Sequence, residues 1–209
     1  MTFSIVGMCE RTETAGVAIT TSSISVGSRC PWVRAGAGAV ATQNVTDPSI
    51  GNEMLDLMAQ GADAPVALAA VMDGRPFAEY RQVTAVDLRG NIAERTGTEI
   101  LGTHAVSHGS QCVAAGNLLS STRVPAAMTD GFSQHVDLHL AEPLGDRADA
   151  LGAVLRVPLE RFGGLLDRLL RGEDAIAPIT HFDATGFPCT VAAEVARDDG
   201  REDRRWFLA

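Results

Sequence analysis

The sequence contains no lysine, and all 17 of its basic residues are arginines. Mechanisms that need a lysine, such as Schiff-base formation or phosphate binding by a P-loop, are therefore excluded. The arginines are outnumbered by 26 acidic residues, which gives a formal net charge of −9. An acidic chain is repelled by phosphate backbones and anionic lipid, so we expect neither nucleic acid nor a membrane as a partner.

Long apolar runs are also missing. No stretch reaches the roughly 20 apolar residues of a membrane span, and the N-terminus lacks the basic head and apolar run of a signal peptide. We therefore expect a soluble, cytoplasmic protein. No H-E-x-x-H or G-x-S-x-G motif is present, and the glycine runs at 35–39 and 163–164 lack the context of a nucleotide cradle.

Metal-ligand patterns are sparse. The four cysteines are widely separated with no C-x-x-C pair, so buried free thiols are expected rather than a zinc site. Among the histidines, two pairs four residues apart could share a helix face, but no glutamate accompanies them as in metalloproteases. Surface or loop positions are expected for most, and we predict no metal and no cofactor. These residues are Cys9, Cys30, Cys112, Cys189, His104, His108, His135, His139 and His181.

The chain has enough apolar material for one domain. It has 209 residues, of which 45% are hydrophobic, so we expect a single core and a single domain over residues 1–209. Strands are predicted at residues 2–6 and 16–26, with a hairpin turn over 10–14, and a small-residue strand at 35–43. Gly36 and Gly38 indicate that this last strand lies close to another layer or to a ligand.

Helical spacing follows these strands. Apolar residues from Ile50 to Met58 recur every three or four positions, with Ser49 as cap and Gly61 as stop, and a second helix is predicted over residues 65–72, opening near Asp63. Extended segments at 80–87 and 91–96 form a predicted hairpin, and another strand covers 111–115.

The last third mixes helices with one strand. Helices are predicted at 125–132 and within 147–170, and a strand at 189–195, followed by a solvated, mobile tail over 198–205. Segregated blocks of strands and helices, without strict βαβ alternation, are typical of an α+β fold with mainly antiparallel sheets.

Thr2 is the most informative residue of the N-terminus. Because a small second residue permits removal of Met1, Thr2 could carry a free α-amino group with a pKa near about 7.7–8.0 beside its own hydroxyl. The amine would then act as the base for that hydroxyl, so no histidine or lysine would be required. Position alone leaves the alternative that this threonine follows methionine by chance.

Four blocks in order resemble the bacterial domain-of-unknown-function family 1028, over about residues 1–129. The blocks are MTFSIV, VGSRCPWVRAGAGAVATQN, EYRQVTAVDLRGNIAERTG and AAGNLL. That family is similar to N-terminal nucleophile (Ntn) hydrolases, so the resemblance implies a four-layer αββα sandwich with Thr2 as nucleophile. Proteasome-like members of the superfamily lower the pKa of the amine with a lysine, which this chain lacks. The family pattern is not followed over residues 143–209.

The resemblance also suggests partners for Thr2. The hydroxyls of Thr21, Ser22 and Ser23 would approach it from the second strand, although exposed strand hydroxyls are an equal alternative. Asn117, which follows Gly116 in the AAGNLL block, is the favoured oxyanion donor.

Four further residues are candidates for the site. Gln43 and Asn44 are weaker oxyanion candidates, with turn formation as the alternative for the asparagines. Arg29 and Arg34 flank Pro31 and Trp32 and could hold a substrate carboxylate, unless they are ordinary surface arginines.

These observations predict an N-terminal threonine amidohydrolase. It would cleave the amide bond of a small metabolite or peptide-like molecule through an acyl-enzyme on Thr2, without a cofactor, and would form a homo-oligomer. The alternative is a non-catalytic metabolite-binding or assembly module on the same fold. A third hypothesis takes Cys9 or Cys112 as the nucleophile.

Overall fold

The computed structural model describes residues 1–11, 13–23, 25–134, 181–182, 188–196 and 204–207. These residues form two antiparallel sheets and three α-helices, which confirms the predicted α+β class. The strands are β1 (Thr2–Cys9), β2 (Thr14–Thr21), β3 (Pro31–Arg34), β4 (Gly38–Asn44), β5 (Arg81–Asp87), β6 (Ile92–Thr96), β7 (Ala105–Gly109), β8 (Cys112–Asn117), β9 (His181–Phe182), β10 (Pro188–Ala196) and β11 (Arg204–Phe207). The helices are α1 (Pro48–Ala59), α2 (Ala64–Met72) and α3 (Val124–Gln134).

The larger sheet has the strand order β11-β10-β2-β1-β8-β7, with β9 beside β10, and the smaller sheet has the order β3-β4-β5-β6. Strand β1 therefore lies inside the larger sheet, between β2 and β8. In this register Thr2 is opposite Thr21 on one side and Asn117 on the other. The first residue of the strand is held by neighbours on both sides.

Alternation along β1 assigns its two faces. Phe3 and Ile5 pack toward α3, whereas Val6 and Met8 pack between the two sheets. Since side chains alternate along a strand, Thr2 and Ser4 share the inter-sheet face with Val6 and Met8. The polar beginning of β1 therefore points between the sheets.

The apolar core consists of three main clusters. One lies between the sheets, a second joins α1 and α2 to the smaller sheet, and a third joins α3 to β1 and β8. Representative buried members are Val17, Ala41, Val86 and Val113 in the first, Ile50, Met54, Leu68 and Val83 in the second, and Phe3, Ala114 and Met128 in the third. In the part of the chain described, no helix has the length and apolar character needed to cross a membrane.

The helix pair follows the prediction closely, with one correction. Helix α2 begins after Asp63, as expected. Helix α1, however, is capped by Asp47 and not by Ser49: the Asp47 side chain accepts a hydrogen bond from the Ser49 amide, and Pro48 occupies the first turn. A proline in the first turn loses no helical hydrogen bond, so Pro48 can begin the helix and Asp47, the residue before it, is the cap.

The strand predicted over 16–26 ends earlier than expected. Strand β2 stops at Thr21, the chain bends at Ser22 and Ser23, and Ser25 adopts a φ of 55°, outside the extended region. Strands β3 and β7 were not predicted. At Gly38, which has a φ of 147°, an added Cβ would lie 2.2 Å from the Val86 carbonyl oxygen, so the expected close approach is to the neighbouring strand β5.

The C-terminal predictions are partly corrected. The strand expected at 189–195 is β10. The expectation of a mobile tail is wrong at Arg204 and Arg205, because these two residues lie in β11 and pair with Val195 and Glu194 of β10. The helix predicted within 147–170, and the pair His135 and His139, lie outside the described residues.

The other histidine pair is not helical. His104 precedes β7 and His108 lies on it, and both are exposed, so the surface or loop reading holds for these two. The side chains of Cys189 and His181 lie outside the described set.

Candidate functional site

Two threonine hydroxyls meet where β1 begins and β2 ends. Thr2 Oγ1 lies 2.8 Å from Thr21 Oγ1, and the Ser23 amide donates a hydrogen bond of 3.2 Å to Thr21 Oγ1. Thr21 is buried, whereas Thr2 is partly accessible. The contact brings together two residues that the sequence places 19 positions apart.

Met1 precedes this pair and is itself held. Its amine donates to Ser22 Oγ at 3.1 Å, and the Ser22 amide donates to the Met1 carbonyl oxygen at 3.1 Å. Partial burial lowers the pKa of the Met1 amine from its ordinary value, because desolvation disfavours the ammonium form. An amine at this end of β1 is therefore more readily neutral than one in water.

A buried cluster of neutral polar side chains lies between the sheets beside Thr2. Ser4 Oγ donates to Gln43 Oε1 at 2.8 Å, Gln43 Nε2 donates to Gln82 Oε1 at 2.7 Å, and Asn117 Nδ2 donates to the same oxygen at 3.2 Å. All four residues are at most 2% exposed. We call Ser4, Gln43, Gln82 and Asn117 the amide cluster.

Gln82 is the centre of the amide cluster. Its Oε1 accepts from two amides, and its Nε2 makes two long contacts, both 3.4 Å, to Thr96 Oγ1 and the Gly116 carbonyl oxygen. Buried polar groups are costly unless they are hydrogen-bonded, and Gln82 uses both ends of its amide. It therefore fixes the orientation of Gln43 and Asn117.

Strand register explains why these residues meet. Gln43 and Gln82 are direct partners on β4 and β5, and Asn117 is the partner of Thr2 on β8. Further along the same inter-sheet faces the residues become apolar, as at Val6 and Val86. The interior thus changes from apolar to polar at the end where β1 begins.

The other predicted residues have different settings. Asn44, with a φ of 69°, donates to the Tyr80 carbonyl oxygen at 2.8 Å and accepts from the Leu101 amide at 3.3 Å, so its amide ties loops together. Arg29 reaches Thr46 Oγ1 at 3.4 Å. At Gly116 an added Cβ would lie 2.7 Å from Leu119 Cδ2, so the leucine side chain would have to shift.

Arg34 is not brought to this site. Its guanidinium forms a 2.5 Å ion pair with Asp56 on α1. On the strand pair β3–β4 it is opposite Gly38, five residues from Gln43, which corresponds to about 17 Å along the strand. The structure therefore separates Arg34 from Thr2.

Sequence reasoning missed Ser4 and Gln82. Both are polar residues inside strands that are otherwise buried, in the runs TFSIVGMC and RQVTAVD. A polar residue on a buried strand is a signal in itself, because it needs a partner. The signal does not reveal which partner, since that depends on how two distant sheets pack.

The cysteine hypothesis receives no support at Cys112. Cys112 and Cys30 are buried, and burial raises the pKa of each thiol to about 11, so both stay protonated and unreactive at neutral pH. Cys9, the other candidate, is half-buried. Within the described ranges, no three His, Cys, Asp or Glu residues lie close enough together to hold a metal ion.

Comparison with known proteins places this arrangement in a family. The family of unknown function DUF1028 matches residues 2–153. The chain belongs to the DUF1028 family. The match extends beyond residue 129, where the resemblance was expected to end, and includes β1, β4, β5 and β8, the four strands that carry the amide cluster.

One solved DUF1028 structure is similar over nearly the whole chain. Protein SPO2555 from Silicibacter pomeroyi is 25% identical, with a TM-score of 0.73, and the alignment covers 99% of this chain and 80% of that one. The ancestral beta-subunit Anbu from Yersinia bercovieri is 9% identical, with a TM-score of 0.37 and coverages of 100% and 87%. No curated protein matches the sequence.

Proposed function

We propose that this DUF1028 protein is an N-terminal threonine amidohydrolase with Thr2 as its nucleophile. The observation that carries the proposal is the position of Thr2 Oγ1, 2.8 Å from Thr21 Oγ1 and in register with Asn117 of the amide cluster. A hydroxyl beside preorganised amide donors is the arrangement that acyl transfer requires. We further propose that the two sheets and their helices form the αββα sandwich of Ntn hydrolases.

The proposed reaction begins after Met1 is removed. The Thr2 amine takes the hydroxyl proton as Oγ1 attacks the substrate carbonyl carbon, and the same proton passes to the leaving nitrogen as the C–N bond breaks. Water then hydrolyses the resulting ester on Thr2. The lowered pKa of the amine at Met1 supports this step, because we expect the same desolvation to act on an amine at Thr2.

Asn117 is the proposed oxyanion donor. An amide nitrogen has two N–H groups, and one of those on Asn117 is used by Gln82 Oε1. The other is proposed to meet the oxygen of the tetrahedral intermediate. Loss of one such donor costs about 10²–10³ in kcat in known acyl-transfer enzymes, so we expect Asn117→Ala to lower kcat on that scale.

The test combines mass with activity. Purified full-length protein is screened for hydrolysis of a panel of chromogenic anilides, while intact mass and N-terminal sequencing identify the first residue. We expect loss of Met1, no turnover in Thr2→Ala, and residual turnover in Thr2→Ser, because serine keeps the hydroxyl. Full activity in protein that retains Met1 would refute the proposal.

A metabolite-binding module is the second candidate, favoured by the paired contacts between Met1 and Ser22. These two hydrogen bonds, both 3.1 Å, extend the pairing of β1 and β2 by one residue and give Met1 a place in the structure. In that case Thr2 would never have a free amine. Retained Met1 together with reversible binding of a small amide, and no turnover, would favour this function.

A further inference from the structure

Four exposed apolar side chains surround the end of the strands where the amide cluster lies. Their exposed fractions are 45% for Val45, 41% for Tyr80, 52% for Leu101 and 48% for Leu118. We call these four residues the apolar rim. In the described part of the chain they are most of the large hydrophobic side chains that are exposed, the others being Val66 and Phe77.

Backbone contacts make the rim continuous with the site. Leu118 directly follows Asn117, and its amide donates to the Leu101 carbonyl oxygen at 3.1 Å. The Val45 amide donates to the Tyr80 carbonyl oxygen at 3.3 Å. The rim therefore begins one residue from the amide cluster on the larger sheet.

Asn44 connects the Leu101–Leu118 pair of the rim to the Val45–Tyr80 pair. It follows Gln43 of the amide cluster, and its side chain binds the Leu101 amide with one end and the Tyr80 carbonyl oxygen with the other. The smaller sheet and the loop before β7 are thereby held together across this end of the molecule. The rim is therefore the surface at the same end of the strands as the buried amide cluster.

The backbone conformation of Leu118 is unfavourable for a residue with a side chain. Its φ of 51° lies in the left-handed region, which residues with a Cβ rarely adopt. The turn nevertheless holds the leucine side chain outward, 48% exposed, directly beside Asn117. Unfavourable backbone conformations of this kind are found at active sites and ligand clamps.

Two charged groups near the rim, Arg81 and Glu79, are held by other protein groups. The Arg81 guanidinium donates to the carbonyl oxygens of Val45 and Pro76, at 2.7 and 3.4 Å. Glu79 accepts from Arg95 and Thr98. The amide cluster itself contains only hydroxyl and carboxamide groups. A ligand charge placed against the amide cluster would lose water without gaining an opposite charge.

We propose that this surface selects an N-acyl amide whose acyl chain is uncharged and apolar. The chain would lie on the apolar rim while its carbonyl group faces Thr2 and Asn117. This inference rests on the proposed function, since it assigns the substrate class of the same site. Leu118 is its main specificity-determining residue because it is adjacent to Asn117.

The test measures ligand binding separately from turnover. Full-length Thr2→Ala protein is titrated with acetamide, hexanamide and the monoamide of adipic acid, which matches hexanamide in length but carries a carboxylate. One buried methylene strengthens binding about fourfold, so we expect hexanamide to bind at least about tenfold more tightly than acetamide. The adipic monoamide should bind at least about tenfold more weakly than hexanamide.

Leu118→Asp should abolish the preference for hexanamide, whereas Val66→Asp, at a 59% exposed position on α2, should leave it unchanged. No binding, equal binding of the three amides, or an unchanged preference in Leu118→Asp would overturn the inference. A changed molar mass of Leu118→Asp in light scattering, with its amide binding unchanged, would also overturn the inference, because the rim would then be a subunit contact. Failure of wild-type protein to hydrolyse hexanoyl anilide, with the binding preference intact, would refute the hydrolase alone.

Discussion

Replacing Gln82 with leucine tests whether Gln82 holds the side chains of the amide cluster together. The change removes the oxygen that accepts from Gln43 Nε2 and Asn117 Nδ2, at 2.7 and 3.2 Å, while keeping a side chain of similar size. Both donors are buried, and a buried unsatisfied group costs about 1–3 kcal/mol. Two such groups lower the free energy of unfolding by about 2–6 kcal/mol, a large share of a typical stability of about 5–15 kcal/mol.

The assay is equilibrium unfolding in urea, followed by far-UV circular dichroism. Gln60→Leu is the matched control, because Gln60 is exposed at the end of α1 and its side chain makes a single hydrogen bond, to the Asp56 carbonyl oxygen. We expect this control to change stability by no more than about 0.5 kcal/mol. If Gln82→Leu is as stable as the control, Gln43 and Asn117 find other partners and the orienting role assigned to Gln82 is wrong.

Three further changes probe the frame of the site. Asp87→Ala should lower the free energy of unfolding by about 3 kcal/mol, measured in urea, because the buried carboxylate accepts from four N–H groups, including the first turn of α2. Gly38→Ala should lower the melting temperature more than Gly36→Ala, since only the first new Cβ meets backbone, 2.2 Å from an oxygen of β5; equal effects would contradict the contact. Cys112 should resist iodoacetamide at pH 8 in native protein and react in urea. Burial raises the pKa of this thiol to about 11. The protonated thiol therefore makes its full contribution to the free energy of unfolding at neutral pH, and that contribution is lost as the pH rises from the ordinary thiol pKa toward 11.

Local signals predicted the elements that depend on neighbouring residues. The hairpin of β5 and β6 follows from a tight turn at Asp87 to Gly90, and α2 follows from Asp63 and the proline after it. Strands β3 and β7 were missed because they have only four and five residues, too few to show a clear alternation of buried and exposed positions. Short strands of this kind are formed by their partners rather than by their own sequence.

The candidate site was predictable only in part. The family resemblance named Thr2, Thr21 and Asn117, and the register of three adjacent strands places these residues side by side. Gln82 was not foreseen, because its contacts cross from one sheet to the other and depend on packing between distant segments. Arg34 looked equivalent to Arg29 in sequence, and only the register of β3 and β4 shows that it lies at the other end.

The position of β10 has a consequence for synthesis on the ribosome. Strand β10 pairs with β2 from Thr190 opposite Thr21 to Ala196 opposite Ala15, although more than 160 residues separate the two strands in the chain. Until that segment has emerged from the exit tunnel, the nascent protein has an open β-edge right beside the strand that carries Thr2. Such an edge invites pairing with other polypeptides, so we expect slow translation or early termination before β10 to favour aggregation.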